Sequence, residues 1–182
     1  MAKTRLVFSG SGGQGVITAG IILAETAVLH EGLNAVQTQS YGAEARGGAT
    51  RSDVIISDAV IHFPKIIQPN VLVCLTQLAY TRYVPSLRPG GLLITDSRWV
   101  HIEKTVDARR YELPLSDTVS EKIGNPVVLN ICMLAAVVRL TEVVKPDSVK
   151  QVIRNRVPEN FRQLNQTAFD IGVDLAAAAA HP

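Results

Sequence analysis

Four glycines fall in six residues, Gly10-Ser11-Gly12-Gly13-Gln14-Gly15, between a short apolar run and a long apolar-periodic segment. Gly10, Gly12 and Gly15 have GxGxxG spacing. With a strand before it and a helix after it, such a turn lets backbone N–H groups approach a pyrophosphate at the positive end of the helix. A tight strand-to-helix turn that binds nothing is the other reading of the same residues. Two nucleotide chemistries lose support. The next strand ends Thr38-Gln39-Ser40, with no carboxylate for the ribose hydroxyls of a nicotinamide cofactor. No Gly-Lys-Ser/Thr follows the glycines, so ATP hydrolysis of the Walker type is excluded.

A second polar stretch, residues 40–53, reads SYGAEARGGATRSD. Arg46 and Arg51 carry planar forks that bind phosphate or carboxylate through two parallel N–H groups. Gly47 and Gly48 permit close backbone approach. Tyr41 and Glu44 complete the candidate set. The competing reading is a solvated turn in which the arginines pair with Glu44 and Asp53. No catalytic residues emerge in this chain alone. His30, His62, His101 and His181 have no triad context, and Asp96-Ser97 lacks a G-x-S-x-G elbow. Cys74 and Cys132 each sit in an apolar run and read as core thiols. Two cysteines cannot hold an iron–sulfur cluster, and no zinc spacing exists, so no metal site is assigned.

The elements that must position these loops follow from periodicity. Residues 4–9 read as a buried strand, 15–31 as a helix, and 33–39 as a second strand, a βαβ unit that predicts a parallel pair joined by a right-handed crossover. Both polar loops then leave the carboxyl ends of parallel strands, the edge where α/β proteins bind ligands. Residues 52–57 and 59–63 read as two short strands joined by a tight hairpin at Ser57-Asp58. Further strands are expected at 70–76, 92–97 and 108–114, and a helix over 77–87. Thr118 and Glu121 have capping-box spacing. Residues 126–140 are apolar nearly all round, which marks a buried or interface helix. Two helical segments close the chain. The expected fold is α/β: a single-domain Rossmann-like sandwich on a mixed, mostly parallel sheet, with a domain over residues 1–175 and a frayed tail over 176–182.

Composition narrows the function classes. The 182 residues are 47% hydrophobic and 19% charged, which fits one globular domain. A net charge of +2 and an aromatic fraction of 5% argue against nucleic acid. No apolar run reaches the roughly 20 residues that span a bilayer, and the N-terminus has no signal-peptide core. A cytoplasmic protein without membrane or nucleic-acid partners is expected. A ligand edge without a catalytic set suggests a subunit of a larger machine.

Taken together, SGSGGQGVITAG, SYGAEARGGATRSDVIIS, LRPGGLLITDS and GNPVVLN closely resemble the gamma subunit of 2-oxoacid:ferredoxin oxidoreductases, in order and over nearly the whole chain. The RGG followed by ATRSD looks most like the 2-oxoglutarate branch, although the branched-chain and indolepyruvate branches have related loops. The resemblance implies a part in the anaerobic oxidative decarboxylation of a 2-oxoacid with coenzyme A, giving acyl-CoA, CO2 and reduced ferredoxin. It implies thiamine diphosphate with Mg2+ and [4Fe-4S] clusters held by alpha, beta and ferredoxin-like delta partners. It makes coenzyme A the owner of the phosphate, with Gly12, Gly13 and Gln14 nearby. Three alternatives stand beside it: the same complex type acting on pyruvate, a branched-chain 2-oxoacid or indolepyruvate; a purely structural interface subunit, favoured by the apolar segment 131–138; and a standalone nucleotide-binding protein or dehydrogenase.

Overall fold

The structure, a computed structural model, describes residues 3–40, 48–102 and 106–180. In chain order the elements are β1 Thr4–Gly10, α1 Val16–His30, β2 Asn34–Ser40, β3 Thr50–Ser57, β4 Val71–Cys74, α2 Gln77–Tyr83, β5 Gly91–Asp96, β6 Ala108–Leu113, α3 Leu115–Lys122, α4 Leu129–Thr141, α5 Pro146–Arg156 and α6 Arg162–Ala180. The strands form one sheet in the order β2-β3-β1-β4-β5-β6. Strands β1, β4, β5 and β6 are parallel, while β3 is antiparallel to both its neighbours.

The alternating strand residues divide the core in two. Leu6, Phe8, Val54, Ile56, Val73 and Ile94 face a thick layer made by α1 and α3 to α6. Val7, Ile55, Leu72 and Leu93 face a thinner layer of α2 and the flanking loops, built on Ile66, Tyr80, Tyr83 and Val100. The mixed α/β sandwich read from the sequence is the architecture found.

Several expectations need correction. β1 and β2 are not a parallel pair, because β3 lies between them. Each is antiparallel to β3, so they still run the same way, and their carboxyl ends still share an edge. The hairpin at Ser57-Asp58 does not form: β3 ends at Ser57, and residues 58–70 run to β4 without a strand. The reason is topological. Both edges of β3 are already hydrogen-bonded, so no edge is free for a following strand. Thr118 is not a cap. α3 begins at Leu115, which places Leu115 and Val119 one turn apart in the core, and Thr118 lies inside the helix. The helix expected over 77–87 is α2 followed by a tighter 3-10 turn, Val84–Ser86, where Pro85 cannot continue an α-helical ladder. Finally, α6 continues through Ala180, with Ala176 fully buried, where a tail was expected from residue 176.

The apolar segment is now explained from within the chain. Every residue of α4 from Leu129 to Val138 is buried, and α6 crosses it at Gly172, where a Cβ would overlap the Cys132 carbonyl oxygen. The apolar character of α4 therefore marks a core helix and carries no argument for an interface. Its Cys132 and the β4 residue Cys74 are free thiols with no exposure. Burial pushes the Cys132 thiol up to about 12, and Cys74 higher still, so neither is a thiolate at neutral pH.

Candidate ligand-binding edge

The glycine loop leaves β1 at Gly10 and enters α1 at Val16. Its glycines divide by role. Gly10 and Gly15 are packing positions: a Cβ on Gly10 would strike Gln14 Oε1, and one on Gly15 would lie 2.8 Å from the Asn130 side chain. Gly12 and Gly13 are exposed, and a Cβ on either would meet nothing within 4 Å. Gly13 and Gly15 have φ of 88° and 70°, which turn the chain sharply from strand to helix. Gln14 locks the turn, its Oε1 accepting from the Ser11 N–H at 2.7 Å while its own N–H donates to the Ser11 carbonyl at 3.3 Å. Gln14 thus shapes the loop, and the open surface belongs to Gly12 and Gly13. No side chain caps α1 and no acidic residue stands in its first turn. The positive end of the helix is left for an anion.

Two more helices start at the same edge. Asn130, in the first turn of α4, packs on Gly15, and its Oδ1 accepts from the Ile131 N–H at 3.0 Å. α3 starts beside the end of β5. There Asp96 is fully buried, and its carboxylate accepts from the Ser116 hydroxyl, from the Ser116 N–H at 3.1 Å and from the Arg98 N–H at 3.2 Å. Burial nevertheless holds its pKa above the ordinary carboxylate value. Trp99 Nε1 donates to the Ser116 hydroxyl at 3.2 Å, and Arg98 lies 4.9 Å from the Trp99 ring centre. The β5 and α2 loops are stapled together, since Gln77 bonds both the N–H and the carbonyl of His101.

The second polar loop is only partly placed. Tyr41, Glu44, Arg46 and Gly47 lie outside the described residues. Gly48 leads into β3, and Arg51 is the second residue of that strand. The Arg51 fork is taken by a neighbour: Nε and one terminal nitrogen donate to the two Asp53 oxygens at 2.5 and 2.9 Å. The same nitrogen also donates to the Ile66 carbonyl at 3.1 Å, and the guanidinium lies 5.1 Å from the Tyr83 ring centre. The Arg51–Asp53 pairing weighed above is therefore present, but on side chains only 17% and 14% exposed, so it is structural rather than solvated. It ties β3 to α2 and the 58–70 loop. Arg51→Lys keeps the charge and loses the fork, and is expected to cost about 1–3 kcal/mol. Asp53→Ala should cost a similar amount, and the double variant little more than either alone, in urea denaturation. Additive losses would separate the two residues.

Sequence reasoning overlooked Asp96, Ser116, Trp99 and Asn130 as parts of this edge. Asp96 and Ser116 are 20 residues apart and meet only through the fold. The available signal was the chain's single tryptophan, standing three residues past a strand end. Among the described residues no group of His, Cys, Asp and Glu side chains is arranged to hold a metal ion, and no helix is long and apolar enough to cross a membrane.

A family model described as Pyruvate ferredoxin/flavodoxin oxidoreductase matches residues 5–175. The chain is 46% identical over 176 residues to the 2-oxoglutarate synthase subunit KorC of Methanocaldococcus jannaschii, covering 96% of this chain and 94% of that protein. The crystal structure of a keto/oxoacid ferredoxin oxidoreductase gamma subunit from Geobacter sulfurreducens superimposes with a TM-score of 0.90 at 40% identity, covering 98% and 99% of the two chains. At 23% identity the fold recurs, with a TM-score of 0.86, in a 2-oxoglutarate:ferredoxin oxidoreductase from Magnetococcus marinus solved with 2-oxoglutarate, coenzyme A and succinyl-CoA bound. That match covers 97% of this chain and 31% of the longer one.

Proposed function

The chain belongs to the pyruvate ferredoxin/flavodoxin oxidoreductase family, and from that premise we propose that it is the gamma-type subunit of a 2-oxoglutarate:ferredoxin oxidoreductase and forms part of the coenzyme A site. The observation that carries the reading is the open surface of Gly12 and Gly13 at the start of α1. A diphosphate could approach the backbone there as closely as no side chain would allow, at the positive end of an uncapped helix. Gly10, Ser11, Gln14 and Gly15 hold the turn in shape. Arg46 is the candidate anion fork of the segment that joins β2 to β3 in the sequence, with Tyr41, Glu44, Gly47 and Gly48 beside it in the chain. Arg51 positions β3.

Coenzyme A would contribute the thiol that takes the acyl group. This chain's part is to bind and orient that carrier. Its own side chains do not fit the rest of the chemistry: two buried, protonated thiols cannot ligate an iron–sulfur cluster. The [4Fe-4S] clusters and thiamine diphosphate with Mg2+ are therefore assigned to alpha, beta and delta partners, with ferredoxin as the acceptor of the whole complex. The similarity to the KorC subunit favours 2-oxoglutarate over pyruvate, branched-chain 2-oxoacids and indolepyruvate.

The test is purification of the chain alone and co-expressed with those partners. Alone, it should contain neither iron nor thiamine diphosphate and show no oxoacid-dependent dye reduction. The assembly should reduce the dye with 2-oxoglutarate and coenzyme A, and more slowly with the other three oxoacids. Stoichiometric iron or turnover in the isolated chain would overturn the subunit reading. A preference for another oxoacid would overturn the substrate.

A further inference from the structure

The loop after β5 invests a buried carboxylate in holding one exposed ring. Burying an ionised carboxyl is costly unless donors surround it, and Asp96 has three: two from Ser116 and one from the Arg98 backbone. The Ser116 hydroxyl, fixed by Asp96, accepts the Trp99 indole N–H. Arg98 covers the ring at 4.9 Å and is itself tied to Asp117 at 2.5 Å. The indole is thus held at its N–H edge and on one face, yet Trp99 remains 50% exposed. A rigid, half-open aromatic surface suits a flat partner, because little rotamer freedom is left to lose on stacking.

Its position links it to the glycine loop. Ser9, Cys74 and Thr95 stand in register across β1, β4 and β5, so the strand ends at Gly10 and Asp96 are about 10 Å apart, two interstrand spacings. The first turn of α4 stands beside the glycine loop, with Asn130 against Gly15. The loops that carry Gly12 and Gly13 and Trp99 therefore leave one edge of the sheet two strands apart, a separation that an adenine nucleotide is long enough to span. We propose that Trp99 is the platform on which the adenine ring of coenzyme A stacks, and that Ser116 and Asp96 are positioning residues that hold the indole for it. This rests on the reading that the diphosphate sits at Gly12 and Gly13.

The test uses the assembled complex with two competitors of coenzyme A. ADP carries the adenine and diphosphate; phosphopantetheine carries the other half of the molecule. Trp99→Ala should raise the inhibition constant of ADP and the KM of coenzyme A about tenfold, the scale of one base–aromatic stack. The inhibition constant of phosphopantetheine should move less than about twofold, because it has no base to stack on the ring. Trp99→Phe should recover most of the loss, and Ser116→Ala should fall between the two. Equal effects on ADP and phosphopantetheine, or no effect on either, would overturn the platform. Loss of assembly by size exclusion would overturn it too, by giving the ring to a subunit interface. Gly13→Asp separates the two levels. If it weakens coenzyme A while Trp99→Ala does not, the platform falls and the coenzyme A reading stands; if neither variant weakens it, the reading itself falls.

Discussion

Gly172→Val is expected to lower the melting temperature of the chain by about 6–12 °C, the shift that a loss of about 3 kcal/mol produces in a domain of this size. The cause is the crossing of α6 over α4. A Cβ at residue 172 would overlap the Cys132 carbonyl oxygen and stand 2.8 Å from the Ala135 Cβ and 2.9 Å from the Cys132 carbonyl carbon. Two of those three contacts are main chain, so no side-chain rotation relieves them. α4 cannot retreat either, because Leu129 to Val138 are buried on all sides. Overpacking usually costs about 1–3 kcal/mol, and a clash with helix backbone belongs at the top of that range. Gly172→Ala should lose less, since Ala recovers about 1 kcal/mol of helix propensity. Gly12→Ala is the contrasting variant. Its Cβ meets nothing within 4 Å, and its melting temperature should match wild type. A Gly172→Val melt equal to that of Gly12→Ala would show that α6 can ride outward, and the packing account would fail.

The sequence was most readable where one segment alone fixes the outcome. The strand–glycine–helix start needed only β1, the four glycines and the periodicity of α1. The all-apolar α4 was readable as a helix without a solvent face, buried or at an interface, and only the packing of α6 over it decides for the core. What failed was long-range. Nothing local in TRSDVIIS announces that it will slide between β1 and β2, because insertion depends on which edges are free once the other strands have paired. The false hairpin came from a local signal, Ser57-Asp58 between two apolar runs, which the pairing of both β3 edges overrides. Arg51 was legible as the start of the next strand and Asp53 as a residue within it, but their pairing was legible only as an exposed contact in a solvated turn. They stand on one face of β3, two residues apart, and meet as strand neighbours do, which lets a strand bury them as a pair. The edge beyond β5 was hidden for the same reason. Asp96, Trp99 and Ser116 become one unit only when α3 starts against the end of β5. The loop glycines were legible as a group but not by role. Gly10 and Gly15 are required by Gln14 and Asn130, whereas no neighbouring atom fills the space over Gly12 and Gly13, and within the chain Gly13 is held to glycine by its φ of 88° alone.

That last distinction makes Gly13→Asp the most informative change on the ligand edge. The apparent affinity of the assembled complex for coenzyme A is expected to fall by about 1–3 kcal/mol, or roughly 5- to 150-fold, the range for losing charge-assisted hydrogen bonds. The KM of the oxoacid should hold. Gly13 has a φ of 88°, so any L-residue there brings backbone strain in addition to its side chain. Gly13→Asn is the matched variant, with nearly the same shape and tolerance of positive φ but no charge. Strain common to both should appear as equal shifts in melting temperature. The difference between them in coenzyme A affinity is then the electrostatic part. A negative charge would stand at an uncapped helix start that has no acidic residue in its first turn. There it competes for the N–H groups a diphosphate needs and repels the diphosphate as well. Adding salt should narrow the gap between Asp and Asn, because the loop is exposed and its charges are screened. Equal coenzyme A affinities for the two variants would mean that no phosphate comes within reach of the loop. The four glycines would then serve only the turn from β1 into α1.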